Sequence, residues 1–369
     1  FYKINPFDPL PNRGSDSINS LMQKKEDIKN LTRSHLAGWL EMHGIKPYRA
    51  AQIEKWIYLH QADTFEEMSD IGKETRQILD RNFYIGRFVK SRVEKSKDGS
   101  MKYLFRLSDS NFVESVLIPE KNHYTLCIST QVGCAQGCKF CLTAKGGFVR
   151  NLSKGEIIAQ VRDIKHDIEE NKNLSNIVLM GMGEPLANYN NVVNAVKTIL
   201  DSNFGLKFSR RRVTISTSGI VSKFKNLAKD INVKLAVSLN ATENRTRSML
   251  MPVNKKYSIE ALLYACKNYP LKSGERITFE YVLLKGINDS ISNAKRLVRL
   301  LESIKVKINL IPFNEHPTIE FKRPTESVIA KFQKILHKNN FTAIIRQSKG
   351  EDISAACGQL AGKMISTNF

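Results

Sequence analysis

The sequence predicts an α/β protein: a domain of repeated strand-then-helix units with a parallel sheet, preceded by a small helical domain and a β-hairpin. Three observations carry this. From Thr125 on, short β-rich apolar runs alternate with amphipathic stretches. Before residue 86 apolar residues recur at helical spacing, and between the two regions the period falls towards two.

Residues 1–16, with Pro6, Pro9, Pro11 and Gly14, read as an unstructured lead-in. The chain opens at Phe1 rather than Met, so nothing can be read about what precedes it. Over residues 17–86, Leu36, Leu40 and Met42, then Ile53, Trp56, Ile57 and Tyr58, then residues 65–79 form three apolar stripes of a helical accessory domain, a candidate contact surface for a partner. Residues 87–122 are the β-hairpin linker: Tyr103, Phe105 and Leu107 alternate, and Asp98 with Gly99 supplies the turn. The catalytic domain is residues 123–369. Its expected strands are 125–129, 176–180, 212–216, 234–239, 277–283, 307–311 and 342–346, and its expected helices 153–169, 189–200, 258–268, 290–304 and 325–337. Such a series makes either a doubly wound sheet or an open (β/α) barrel, and both place the ligand at the carboxyl ends of the strands.

Of 369 residues, 57 are Lys or Arg and 36 Asp or Glu, a net charge of +21 that attracts polyanions and makes nucleic acid the leading partner class. Lys207, Arg210, Arg211 and Arg212, and Arg87, Lys90, Arg92 and Lys95, suit phosphate contact or plain solvated surface equally well. No apolar run approaches a membrane span and no signal-peptide pattern is present, so a cytoplasmic protein without a membrane partner is expected. Four of the six cysteines, Cys127, Cys134, Cys138 and Cys141, are crowded together, which in such a chain points to metal or redox chemistry. Cys266, in the apolar stripe of a helix, reads as core.

Cys134-Ala-Gln-Gly-Cys138-Lys-Phe-Cys141 follows the first strand of the series. Three thiolates at this spacing wrap one corner of an Fe–S cubane, and since such clusters usually take four cysteines, one iron is left open to chelate a substrate. The alternative is a structural zinc with Cys127 as fourth ligand. Against it, zinc ligands usually come as two short clips, and Cys127 sits inside an apolar strand. Further on, a strand ends in Gly181-Met-Gly183-Glu184-Pro185; alone this fits an ordinary turn as well as a ligand site. Ser216-Thr-Ser218-Gly219 and Ser238-Leu239-Asn240 end later strands, and polar strand ends beside a cluster loop make a cofactor groove.

The C-x3-C-x2-C motif with Phe140 before its third cysteine resembles the signature of the radical S-adenosylmethionine (SAM) superfamily. Residues 181–185 resemble its GGEP-like motif. The carboxyl-terminal Gly350-Glu-Asp352-Ile-Ser-Ala-Ala-Cys357-Gly358-Gln-Leu-Ala-Gly362 resembles the RlmN-type enzymes, which methylate C2 of adenosine in 23S rRNA and tRNA. So do residues 127–134, 211–219, 252–257 and 308–314, and the likeness runs over about residues 20–365.

The resemblance implies an open partial (β/α) barrel of the radical SAM type and a [4Fe–4S] cluster on Cys134, Cys138 and Cys141. It implies SAM held by Gly183, Glu184, Ser216, Ser238, Leu239, Asn240 and Asn314, although Asn240 stands where many relatives have His. Two SAM are used per turnover: one methylates Cys357, and the other yields the radical that activates that methyl group for addition to adenine. Cys127 is implied as the thiol that resolves the protein–RNA adduct, leaving a disulfide with Cys357, and Glu114 as proton acceptor and adenine contact. Adenine C2 is electron-poor and cannot attack a SAM methyl as a nitrogen would, so radical chemistry is required, and the base must be unstacked to reach it. A flavodoxin-type electron donor and a monomeric state are also expected. The rivals are a Cfr-type enzyme acting at adenine C8, a zinc-stabilised RNA-binding protein without activity, and a radical SAM enzyme of peptides or small molecules.

Overall fold

The computed structural model describes residues 25–168 and 173–362, so the expected lead-in lies outside the described residues. One sheet holds ten strands: β1 (Val89–Lys95), β2 (Met101–Arg106), β3 (Phe112–Pro119), β4 (His123–Cys127), β5 (Asn173–Leu179), β6 (Val213–Thr217), β7 (Lys234–Ser238), β8 (Ile277–Leu283), β9 (Val306–Pro312) and β10 (Ala343–Ile345). Their order across the sheet is their order in the chain. β1 to β4 pair antiparallel, and β4 to β10 run parallel.

That order decides between the two architectures. Parallel crossovers are right-handed, so a strand order that never reverses sends every connecting helix to one face. A doubly wound sheet needs a reversal, whereas a one-directional sheet curls into a barrel. β1 and β10 do not pair with each other among the described residues, so the barrel is partial.

Strand parity shows the two faces. Ile215, Leu235, Val237, Phe279, Ile308 and Leu310 point outward and are buried under the helices, each such side chain contributing roughly 1.5–3 kcal/mol. Inward positions such as Thr214, Ser216, Glu280, Lys307 and Asn309 are only half-buried. The helices start where the sequence caps them. Ser153 and Glu156 form a reciprocal capping box on Lys154–Lys165, and the Ser258 and Ser290 hydroxyls cap Ile259–Lys267 and Ile291–Leu301.

The expected hairpin is present as β1 and β2. It does not stand apart: β3 joins it, and all three strands extend the catalytic sheet. The helices Arg33–Met42, Arg49–Tyr58 and Lys73–Asn82 pack on the outside. The segments that follow them bind Lys154–Lys165 through charged contacts: Arg162 donates to the Ala62 carbonyl at 2.9 Å, and Asp163 accepts from Arg87 at 2.7 Å and from the Phe88 N–H at 2.8 Å, both at the start of the linker. No helix among the described residues is long and apolar enough to cross a membrane.

Besides the single turn Leu142–Lys145, two helices among the described residues were not foreseen, Phe224–Asp230 and Asn244–Leu250. Each has seven residues, and the buried face of the second carries Arg247 beside Leu250, so no apolar stripe betrays it.

Candidate active site

At the carboxyl ends of β5 to β9 lies a cavity of about 970 Å³, open mouth included, a size that suits a cofactor. Ten of the residues singled out from sequence line it: Cys134, Cys138 and Cys141; Gly183, Glu184 and Ser216; Ser238, Asn240 and Asn314; and Cys357. Cys127, Glu114 and Leu239 do not.

The three cysteines lie on the loop between the short strand Gln131–Gly133 and the helical turn Leu142–Lys145. Gly133 has φ +72°, and a Cβ there would stand 1.9 Å from the Gly147 carbonyl oxygen, so only glycine lets the loop turn back on itself. The Cys134 N–H donates to that carbonyl at 2.8 Å, and the Leu142 N–H to the Gly358 carbonyl at 2.8 Å, which ties the loop to the segment bearing Cys357. Burial pushes the Cys134 thiol up to about 12 and the Cys138 thiol higher still. No group of three or more His, Cys, Asp or Glu side chains among the described residues is gathered closely enough for a single metal ion. The three thiols line one cavity, and Cys134 and Cys141 are the electrostatic neighbours of Cys138. That donor set fits a cubane bound at three corners, and the electrostatic neighbours of Cys127 are Cys357 and Glu280 rather than the triplet.

Glu184 is placed by its glycine. Gly183 has φ +99°, and a Cβ would lie 2.5 Å from the Gln131 side chain, whose Oε1 accepts the Glu184 N–H at 2.8 Å. The buried Glu184 carboxylate accepts from the Ser218 N–H at 2.7 Å and the Leu186 N–H at 3.0 Å, and burial raises its pKa. It is a fixed acceptor at the cavity wall, suited to an ammonium group. Asn240 adopts φ +58°, a region asparagine tolerates, but its Oδ1 already accepts the Val282 N–H at 2.8 Å. Leu239 is fully buried, with its N–H on the Glu280 carbonyl and its own carbonyl on Arg247.

Sequence reasoning missed Glu280 and Arg247. Glu280, in the middle of β8, lines the cavity and accepts from the Ser216 hydroxyl at 2.7 Å and the Ser238 hydroxyl at 3.4 Å. Arg247 is fully buried and donates to the carbonyls of Ser218 at 2.8 Å, Ser238 at 3.1 Å and Leu239 at 3.1 Å, clamping the ends of β6 and β7 together. Arg247→Met takes its guanidinium from the Ser218 and Ser238 carbonyls and leaves the Leu239 carbonyl with the Ala241 N–H. A loss of about 3 kcal/mol in urea unfolding is expected, with weaker SAM binding; unchanged stability would show the clamp to be idle.

The segment after β10 crosses the open side of the barrel. Asp352 accepts from the Ser96 hydroxyl at 2.5 Å, Lys102 donates to the Ile353 carbonyl at 2.6 Å, and the Glu114 Oε2 accepts the Ala361 and Gly362 N–H groups at 2.7 and 2.9 Å. Glu114 is therefore buried as the anchor of this strap. Cys357 faces the cavity, and its surface is accessible there; the surrounding walls and Glu280 push its thiol up to about 11. Cys127, buried on β4 and pointing inward, is raised by burial and then by Cys357. All six cysteines are free thiols, so the implied Cys127–Cys357 disulfide is not formed in this state. Cys266 lies in the core, as its helical stripe indicates.

A partial barrel of this topology, with three cysteines on the loop after β4 and polar strand ends around one cavity, defines a radical SAM protein, and the family model described as Radical SAM superfamily matches residues 128–298. A second, described as Ribosomal RNA large subunit methyltransferase N-terminal domain, matches residues 26–85. The dual-specificity RNA methyltransferase RlmN of Desulfosudis oleivorans is 57% identical, with 91% of each chain covered. That of Geotalea uraniireducens is 49% identical over 92% of this chain and 98% of its own. The crystal structure of a radical SAM methyltransferase from Sphaerobacter thermophilus superposes with a TM-score of 0.86 at 41% identity, covering 92% of this chain and all of that one. The chain belongs to the RlmN family of radical SAM RNA methyltransferases. Membership brings a [4Fe–4S] cluster and SAM as cofactors.

Proposed function

We propose that this chain methylates C2 of an adenosine in 23S rRNA and tRNA, with the methyl group first carried on Cys357. The observation that carries the reading is the pairing of two thiols inside the barrel: Cys357 in the cavity beside the three-cysteine loop, and Cys127 on β4 within its electrostatic reach.

Cys134, Cys138 and Cys141 hold the cluster; Glu184 receives the SAM ammonium, with Gly183 leaving room for it, and Ser216, Ser238, Asn240 and Asn314 complete the wall. Leu239 supports the site from behind, since both its backbone groups are engaged. When bound, the cluster and SAM supply the electron and the hydrogen-abstracting radical. Cys357, as thiolate, accepts a methyl from one SAM, and a second SAM is spent in activating that methyl group. Once its carbon is bonded to adenine C2 and the unpaired electron left by that addition has passed back to the cluster, Cys127 assists loss of the C2 proton and attacks the Cys357 sulfur. The carbon–sulfur bond breaks, the released carbon takes up a proton to become methyl, and a disulfide forms that must be reduced before the next turnover. Glu114 contacts adenine in this scheme only if it exchanges its two bonds to the strap. The enzyme acts as a cytoplasmic monomer served by a flavodoxin-type reductant.

Mass spectrometry of digested RNA after reaction with the reconstituted holoenzyme tests the reading. A methyl group at adenine C2 is expected. Methylation at C8 would transfer the chain to Cfr-type chemistry, and RNA left unmodified under reducing conditions would remove the reading.

A further inference from the structure

The inward face of the barrel below the cofactor cavity has no role in the scheme above. Residues paired across a parallel sheet face the same side, and alternate residues of one strand do too. Since Ser238, Glu280 and Ile311 line the cavity, Lys234 on β7, Thr278 on β8 and Lys307 and Asn309 on β9 face the same concave surface nearer the amino ends; the register pairs Thr278 with Lys307 and Glu280 with Asn309. Arg346, its N–H on the Leu310 carbonyl at 2.8 Å, stands higher, in the row of Ile311 at the cavity, where Glu280 and Cys357 are its electrostatic neighbours.

This face is neither packed nor neutral. Lys234, Arg276 and Lys307 line an open groove of about 1440 Å³ at the amino ends of the strands. Arg276 donates to the Thr342 hydroxyl at 3.1 Å. None of Lys234, Arg276, Lys307 and Arg346 forms an ion pair with a carboxylate among the described residues, and Glu275, the one acid of the groove, is taken by Arg210 at 2.7 Å. Half-buried Lys307 is held below the usual lysine range by burial and then by its neighbours Lys234, Arg346 and Arg276. Three mutually repelling cations in one open groove, Lys234, Arg276 and Lys307, cost folding free energy, and an anionic ligand with several charges removes that cost.

We propose that Lys234, Arg276 and Lys307 form a phosphate track that holds the RNA backbone flanking the target nucleotide while its base enters the cavity. The inference rests on the RNA-methyltransferase reading and adds where the strand runs. Lys307 lies two strand positions, about 6.6 Å, below the row of Glu280. The track therefore begins one layer under the residues that face Cys357. An unstacked nucleotide reaching that layer carries its neighbouring phosphates at the basic one. An acidic electron-donor protein is the competing occupant, but it must approach the cluster loop at the opposite, carboxyl ends of the strands.

The test is RNA binding by cluster-loaded enzyme, using a hairpin RNA with an unmodified loop adenosine across a salt series, for the parent and for Lys234→Gln/Lys307→Gln. Each neutralised phosphate contact contributes about 0.9 to the slope of log K against log salt, so the double variant is expected to flatten it by about 2. Methylation of Cys357 by SAM alone, read as the mass gain of one methyl group, is expected unchanged and shows that the variant is folded and loaded. Lys307→Arg, which keeps the charge, is expected to restore the parent slope when combined with native Lys234. A parental slope in the double variant overturns the track and leaves the RNA reading standing. A parent enzyme that does not bind the RNA overturns both. Loss of reduction by an acidic flavoprotein with RNA binding intact assigns the groove to the reductant and overturns the track.

Discussion

Cys127→Ala is expected to leave the protein covalently joined to RNA. In the proposed sequence, bond formation between the Cys357 methyl carbon and adenine precedes any need for Cys127, and only the second thiol breaks the carbon–sulfur bond. The variant should therefore give an RNase-sensitive species of raised mass on a denaturing gel, with product methyladenosine reduced by a factor of 10³ or more, about 4 kcal/mol in barrier. Cys357→Ala should give neither adduct nor product while keeping its iron. Both side chains sit on elements held by other contacts, Cys127 in the β4 ladder and Cys357 in the strap, so neither change should unfold the chain. An adduct-free Cys127→Ala enzyme with normal product would exclude the two-thiol route.

Cys134→Ala is expected to lose the cluster altogether. Anaerobically reconstituted parent protein should carry about four irons per chain with the brown absorption of a [4Fe–4S] centre; the variant should be colourless, without SAM cleavage on addition of dithionite. Because Cys134 is buried and its N–H rather than its thiol holds the loop to Gly147, the polypeptide should remain folded by circular dichroism. Stoichiometric zinc in colourless parent protein would leave the zinc-bearing alternative.

Much of this architecture was legible in the sequence because the convex half of the barrel obeys simple rules. Outward strand positions are apolar, the crossover helices carry capping serines, and the cysteine triplet has one sensible chemistry. The concave half was not legible for a physical reason. It is solvated, so Ile277-Thr-Phe-Glu280-Tyr-Val-Leu283 alternates just as a strand with one face in bulk water would, and Glu280 is indistinguishable from a surface acid. Arg247 hid in the same way, as a buried cation on a short helix whose value lies in carbonyls that sequence does not display. The structural duty of Glu114 was equally hidden: its carboxylate holds the strap that carries Cys357.

That strap also sets the order in which the site can come together. The bonds seating it join residues 247 to 256 positions apart: Glu114 to Ala361, Lys102 to Ile353, Ser96 to Asp352. Contacts of such separation form late, after the sheet they close is in place. The cysteine loop is tied to the strap by the Leu142 N–H on the Gly358 carbonyl, so a strap not yet seated leaves that loop at the mouth of an unclosed barrel, open to incoming iron and sulfide. A chain that takes up its cluster before the strap seats brings the reactive thiol to a metal centre already in place.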